Sequence, residues 1–303
     1  GTPIRLAPAT TEGAGQPFTV TLDDARGAAA TAGGITTYHE QGSSQATYVQ
    51  PLADGIRVLT ALADASAGED FDFTLDLPAG STTQTIPTGD TVLADGTGRA
   101  IAALAPAWAR DANGAELETG YRWNGATLTQ HVELEADTAF PVLLDPKWFY
   151  SYDFSTTSTG WPARHPKASD VAVDHLLHGC FNCWFPVAGA SRAYPVDGAV
   201  MNLNASPFTI IEVPAPVKVQ TANGGALQFL ATSGHFDGAG STITFAWYND
   251  VNGYLHLYVH AMIMVDRGPT VNIANSRLAG VTWLGFWKRV ADNANGSSGG
   301  GGV

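Results

Sequence analysis

Residues 70–78 read DFDFTLDLP, and this stretch indicates the fold class of the first half of the chain. Apolar residues occupy every second position, at Phe71, Phe73, Leu75 and Leu77, and Asp and Thr stand between most of them. Because the side chains of a β-strand point alternately to opposite faces, such a strand buries one face and exposes the other to water. This pattern is typical of an antiparallel sheet with one solvated face.

Other β-type runs lie on both sides of this strand and are separated by turn signals. They span residues 18–22, 35–40, 46–52, 55–64, 91–95, 99–109, 119–134 and 140–148. Within the 119–134 hairpin, Asn124 and Gly125 are predicted to supply the two positive-φ positions of a type I′ turn. We therefore expect a mainly β protein whose residues 1–148 form an antiparallel β-sandwich, with residues 1–16 as an extended arm.

The same half resembles an N-terminal β module of secreted actinobacterial proteins. The resemblance covers roughly residues 30–148 and rests on runs such as ADGIRVLTAL, FTLDLPAG and FPVLLDPKW, the last ending in Asp145-Pro146-Lys147-Trp148. In that group the module precedes quite different C-terminal parts. The resemblance implies an extracellular or cell-surface setting and a supporting role for this half, and it implies no catalytic residues.

Residues 149–293 are predicted to form a second β-rich domain with a short helix and a C-terminal helix. Ser169 or Asp170 can cap a helix over 168–179, which Gly179 ends. Strands are expected at 199–204, 207–213, 217–221, 226–232, 241–250 and 253–265. Residues 271–292 have helical spacing of apolar residues, including Leu284 and Trp287, and residues 294–303 are expected to be a flexible Gly/Ser tail.

Charge and composition narrow the function classes. The net charge of the 303-residue chain is -13, which repels phosphate backbones and anionic lipid headgroups, so we expect neither nucleic acid nor a lipid surface as partner. No apolar run reaches the ~18 residues of a membrane-spanning helix. The first residues lack a basic region before an apolar segment, so we expect a mature secreted or cell-surface protein. Its expected partner is an extracellular ligand or a cell-envelope component, with carbohydrate among the candidates and self-association left open.

Both cysteines lie in the segment His165–Pro186, which reads HPKASDVAVDHLLHGCFNCWFP. In a secreted chain with two cysteines, a structural disulfide between Cys180 and Cys183 is the default interpretation. The alternative is a zinc-type site with His175, His178, Cys180 and Cys183 as ligands. Four ligands within nine residues strain a tetrahedral geometry, so the disulfide is favoured and no cofactor is expected.

The strand around residues 254–260 offers the main candidate for ligand binding. Tyr254, His256, Tyr258 and His260 share one face of the strand, and the other face carries Leu255, Leu257 and Val259. The aliphatic face is expected to be core. The aromatic face either lines a cleft for a sugar or an aromatic ligand, together with Trp184, or is covered by a packed element.

A third group lies in the loop Gly234–Gly240, where His235 and Asp237 could act as an acid–base pair. An ordinary glycine-rich loop explains the same residues, and the sequence contains no G-x-S-x-G, H-E-x-x-H or phosphate-binding loop. The favoured interpretation is a non-enzymatic binding or structural protein whose ligand site lies in the C-terminal domain. The alternative is a secreted enzyme or toxin effector of the hydrolase type that uses His235, Asp237 or His178, with the N-terminal domain as carrier.

Overall fold

The computed structural model describes residues 1–7, 9–10, 13–14, 17–52, 55–149, 152–155, 168–205, 213–264 and 269–294. The chain divides into two compact units. Unit 1 consists of Gly1–Thr85 and Gly89–Tyr150, and unit 2 consists of Ile86–Thr88 and Ser151–Val303. Among the residues just given, strands outnumber helices by far, and the prediction of a mainly β, two-domain protein is confirmed.

Unit 1 is built from strands, with one 3-10 turn at Ala65–Ala67. The strands are β1 (Thr2–Leu6), β2 (Ala9–Thr10), β3 (Gly13–Ala14), β4 (Phe18–Leu22), β5 (Ala28–Ala32), β6 (Ile35–His39), β7 (Gln45–Leu52), β8 (Gly55–Leu62), β9 (Asp70–Asp76), β10 (Thr82–Thr85), β11 (Thr91–Ala94), β12 (Ala100–Leu104), β13 (Trp108–Arg110), β14 (Thr119–Asn124), β15 (Thr127–Val132), β16 (Val142–Asp145) and β17 (Lys147–Phe149).

Two antiparallel sheets share the core of unit 1. One has the order β1-β4-β9-β15-β14, and the larger one runs β10-β11-β12-β17-β8-β7-β6-β5, with β16 on β8 and β13 on β16. Phe71, Phe73 and Leu75 of β9 are buried, as the alternation predicts. The three Asp residues of the same strand, at positions 70, 72 and 76, are exposed. The three buried side chains join Val58 and Leu62 of β8 in one apolar cluster, which makes unit 1 a β-sandwich.

Two details of unit 1 differ from the sequence prediction. Residues 2–6 are not an arm but the edge strand β1, which pairs with β4 because Leu6 reaches the core. In the β14–β15 hairpin, Asn124 pairs with Thr127, so the two-residue turn is Gly125-Ala126 and not Asn124-Gly125. Gly125 has φ 60 and no described residue other than glycine has positive φ, which fits a type II′ turn.

Unit 2 combines six strands with three helices in the described residues. The strands are β18 (Tyr152–Ser155), β19 (Val200–Asn204), β20 (Pro214–Asn223), β21 (Ala226–Ala231), β22 (Thr242–Asn249) and β23 (Leu255–Met262). The helices are α1 (Asp170–Gly179), α2 (Phe181–Trp184) and α3 (Pro269–Ala294). The predicted strand at 207–213 and His165 fall largely or wholly outside the described residues.

The strands of unit 2 form one antiparallel sheet in the order β18-β23-β22-β21-β20-β19, and α3 packs against one face of it. Leu255, Leu257 and Val259 are buried in this core, as the alternation predicts. The face of α3 toward the sheet carries Trp283, Phe286, Trp287 and Val290, whereas Leu284 is exposed. Phe245 and Trp247 of β22 contact these rings edge to face, so aromatic side chains fill the space between helix and sheet.

Candidate functional site

The junction between α1 and α2 carries the two cysteines. Ser169 caps α1 by accepting a hydrogen bond from the Val171 amide, and it is one of the two caps that the sequence predicts. The Sγ atoms of Cys180 and Cys183 lie 1.96 Å apart and form a disulfide. Because both sulfurs are used in this bond, neither is a thiolate ligand, and the alternative zinc site of His175, His178, Cys180 and Cys183 is wrong.

The exposed His178 stacks on the half-buried Tyr194 beside this junction. Their ring centroids are 3.9 Å apart with an interplanar angle of 23°. His178 Nδ1 lies 2.9 Å from the Asp174 main-chain oxygen and 3.5 Å from its carboxylate Oδ2. These two contacts with Asp174 orient the imidazole, and 48% of the His178 side-chain surface stays exposed to solvent.

The phenol of Tyr194 is partly buried, and its edge contacts Phe181, whose centroid lies 5.6 Å away. Burial raises the pKa of Tyr194, and the carboxylates of Asp174 and Asp197 raise it further. The phenol is therefore neutral over the physiological pH range. The Tyr194 hydroxyl is itself buried, and within the described part of the chain it makes no hydrogen bond.

Trp184 follows the same junction. It is half-buried in α2, one helical turn after the fully buried Phe181. Arg289 of α3 donates from Nη2 to the Trp184 main-chain oxygen at 3.0 Å, which ties the end of α2 to the long helix. We call the three residues His178, Tyr194 and Trp184 the aromatic patch. His175, one turn before His178 on α1, is exposed.

The face of β23 that the sequence predicts as a possible ligand cleft, residues 254–260, is largely buried in the structure. His256 is 2% exposed and Tyr258 0% exposed, and Tyr254 and His260 are half-buried. The ring of His256 stacks on Tyr248 of the neighbouring strand with centroids 5.1 Å apart. The open cleft is therefore corrected to a packed face at the two central residues, His256 and Tyr258.

A carboxylate that sequence reasoning missed lies beside His256. Asp250 Oδ2 is 3.2 Å from His256 Nε2, and Asp250 Oδ1 accepts hydrogen bonds from the Asn252 and Tyr254 amides. The signal was present in the sequence, since Asp is favoured at the first position of a turn and the Asp250–Gly253 turn brings β23 back beside it.

The loop residues His235 and Asp237 are joined by a hydrogen bond to the main chain. His235 Nδ1 accepts a hydrogen bond from the Asp237 main-chain amide at 3.0 Å. The imidazole stacks on Phe236, and burial lowers the pKa of His235. Ser241 donates from its hydroxyl to the Asp237 main-chain oxygen and accepts the Met264 amide. These contacts tie the loop to the segment that follows β23. The hydrogen bond between His235 and Asp237 involves the main chain of Asp237, whereas an acid–base pair would use both side chains.

The histidines singled out by the sequence are thus distributed over separate elements. His178 lies on α1, His235 in the β21–β22 loop and His256 on β23. Among the described residues, no group of three or more His, Cys, Asp or Glu side chains is placed to hold a metal ion. In the same part of the chain, no helix combines the length and apolar character that crossing a membrane requires.

No family model and no curated protein matches this chain. Two solved structures align with this chain over most of their length. The di-domain ARO/CYC StfQ from the steffimycin biosynthetic pathway is 10% identical, with 91% of each chain covered and a TM-score of 0.38. DynU16, from the dynemicin biosynthetic locus, is 9% identical, with 98% of each chain covered and a TM-score of 0.26. At these TM-scores neither likeness supports a conclusion about activity.

Proposed function

We propose that this chain is a secreted or cell-surface binding protein without catalytic activity, and that its ligand stacks on the aromatic patch of unit 2. The observation that carries the proposal is the stack of the exposed His178 on the half-buried Tyr194 at 3.9 Å, with the half-buried Trp184 on the following helix. Flat rings with one polar edge are the side chains that bind sugar rings and other ligands with one apolar face.

The patch is held rigidly before any ligand arrives. Phe181 is fully buried behind Tyr194, and its main-chain amide donates to the Arg192 oxygen at 2.8 Å. The Cys180–Cys183 disulfide fixes the turn between α1 and α2, and Arg289 fixes the end of α2. A preorganised surface loses little conformational entropy on binding, so even a small patch reaches a measurable affinity.

Charge selects the class of ligand. Asp174 lies under His178, and Asp174 and Asp197 both act on Tyr194. Together with the net charge of -13, these carboxylates disfavour anionic ligands. A neutral carbohydrate of the cell envelope fits best, since its ring can stack on the patch and it carries no negative charge that these carboxylates would repel.

The test is binding of the full chain to a panel of neutral and anionic oligosaccharides, followed by calorimetry on the strongest hit. We expect Tyr194→Ala and Trp184→Ala each to weaken binding at least tenfold, in line with loss of a stacking residue. Tyr48→Ala, at a half-buried tyrosine of β7 in unit 1, is the matched control and should bind as the native chain does. Equal affinity of Tyr194→Ala and the native chain would contradict the proposal.

The second candidate is a secreted hydrolase with unit 1 as its carrier. Its support is the Asp250–His256 pair, which has the geometry of a carboxylate orienting a general base. The burial of His256 makes this candidate weaker, because a substrate needs access to the imidazole. Turnover of an ester, peptide or glycan that His256→Asn and Asp250→Asn abolish, and His235→Asn leaves intact, would establish it over the binding function.

A further inference from the structure

Strand β5 is the terminal strand of the larger sheet of unit 1, within the residues that the structure describes. It pairs on one side with β6, from Ala28 opposite His39 to Ala32 opposite Ile35. All five of its residues are exposed, so no other described part of the chain covers either face of the strand. Its sequence is Ala28-Ala29-Ala30-Thr31-Ala32.

The turn after β5 determines which backbone groups face outward. Gly33 and Gly34 have φ values of 56 and 82 and form a two-residue turn. In such a hairpin the flanking residues, here Ala32 and Ile35, exchange both hydrogen bonds, and bonded and non-bonded pairs then alternate along the strands. Ala28, Ala30 and Ala32 therefore bond to β6, and the N–H and C=O groups of Ala29 and Thr31 point away from the sheet.

This edge lacks the devices that keep sheet edges from pairing. Natural edge strands are protected by charged side chains, proline or bulges. β5 contains no charged residue and no proline, and its register with β6 is continuous over all five pairs. By contrast, the edge strand β1 of the other sheet carries Pro3 and Arg5. The outward amides and carbonyls of β5 are thus open to a further strand.

We propose that β5 pairs with β5 of a second copy of this chain, antiparallel about a two-fold axis that passes through Ala30. Ala29 then faces Thr31 of the partner subunit, and Thr31 faces the partner's Ala29. The outward groups of these residues match each other, and about four backbone hydrogen bonds form. Ala30 lies opposite its own copy as a non-hydrogen-bonded pair.

The composition of β5 favours a second copy as the occupant. Each protomer carries a net charge of -13, and a neutral edge brings no two like charges together where the strands meet. Alanine side chains on both faces let identical strands approach without steric conflict. Because one strand pair buries far less than the ~1,200 Å² of a stable interface, the dimer is weak and reversible.

Cysteine crosslinking of the full chain tests the register. Ala30→Cys places two thiols across the axis at a Cα separation of about 4.5 Å, which fits a disulfide. Ala28→Cys is the matched control, because the two thiols are then offset by four residues, or about 13 Å along the strand. On mild oxidation we expect a disulfide-linked dimer from Ala30→Cys and at least tenfold less from Ala28→Cys.

Analytical ultracentrifugation tests the association without a crosslink. Ala29→Pro removes one outward donor and no hydrogen bond to β6, so the hairpin is retained while self-association weakens at least tenfold. Ala30→Lys should weaken it similarly, whereas Thr83→Lys on the edge strand β10 should have no effect. A chain that stays monomeric at all concentrations, or crosslinks equally well through Ala28→Cys, overturns the proposal.

Discussion

At the scale of single residues, Asp145 is a buried residue of unit 1 that Arg57, Trp108 and Tyr121 contact. Its side chain is 1% exposed and lies 3.0 Å from Arg57 Nε, and Trp108 donates from Nε1 to its Oδ2 at 2.9 Å. The hydroxyl of Tyr121 donates to the Asp145 main-chain oxygen at 3.4 Å, and burial raises the pKa of Tyr121, with Asp145 adding to the shift. The first residue of the Asp-Pro-Lys-Trp motif therefore has a structural role.

Asp145→Ala should lower the free energy of unfolding by about 2–4 kcal/mol, because it leaves the Arg57 charge and the Trp108 N–H without their partner. Urea unfolding followed by tryptophan fluorescence measures this. Glu116→Ala breaks the exposed ion pair with Arg110 and is the control, with an expected loss below about 1 kcal/mol. Losses below about 1 kcal/mol in both variants would contradict a structural role for Asp145.

Tyr194 gives a pH prediction. Its folded-state pKa is raised, mainly by burial, above the unfolded value of about 10. The stabilising contribution of the neutral phenol is thus present below pH ~10 and is lost as the pH rises above it, because the unfolded chain releases its proton first. Tyr194→Phe should make the alkaline decline in stability shallower, by less than about 1.4 kcal/mol per pH unit. The measurement is denaturant unfolding at several pH values above ~10. The same pH dependence in the native chain and in Tyr194→Phe would contradict a raised pKa of Tyr194 in the folded state.

At the scale of elements, Asn249 connects the β22–β23 hairpin to the start of α1. Its Oδ1 accepts the Asp170 amide at 2.9 Å, and its Nδ2 donates to the main-chain oxygens of Ala168 and Gly253. α1 is therefore fixed at both ends, by Asn249 at its start and by the disulfide after its last residue. This is what places His178 beside Tyr194.

Asn249→Ala should cost about 2–3 kcal/mol, since three hydrogen bonds are lost at a half-buried position. Asn252→Ala is the control three residues away, where the contribution comes from the main-chain amide and the expected change is within about 0.5 kcal/mol. Hydrogen exchange should also show faster exchange at the first turn of α1 in Asn249→Ala. Unchanged protection there would mean that other contacts hold the helix.

At the scale of the whole molecule, the two units have separate apolar cores that share no residue. The core of unit 1 lies between its two sheets, and that of unit 2 lies between its sheet and α3. Each unit therefore has what a domain needs to unfold as one cooperative body.

We expect calorimetry to resolve two unfolding transitions in the native chain. Asp145→Ala should lower the midpoint of one transition, and Asn249→Ala should lower the midpoint of the other, because each acts on one core. If both variants shift a single transition by similar amounts, the two units unfold together and the separation of their cores has no thermodynamic consequence.

The sequence by itself determined the features that depend on neighbours along the chain. The alternation of residues 70–76 and 255–259 identified strands and their core faces, Ser169 identified a helix cap, and the spacing of Cys180 and Cys183 in a chain without other cysteines indicated their bond. These depend on backbone geometry and on local hydrogen bonds, which a few consecutive residues specify.

Only the tertiary structure decided what lies opposite each face. Alternation placed His256 and Tyr258 on one side of a strand, but whether that side is open depends on rings such as Tyr248, supplied by another strand. The stack of His178 on Tyr194 likewise joins residues brought together by packing around Phe181. A one-residue shift in a turn, as at Gly125, changes which residues pair across strands. Long-range packing is the sum of many weak contacts, and no short stretch of sequence specifies it.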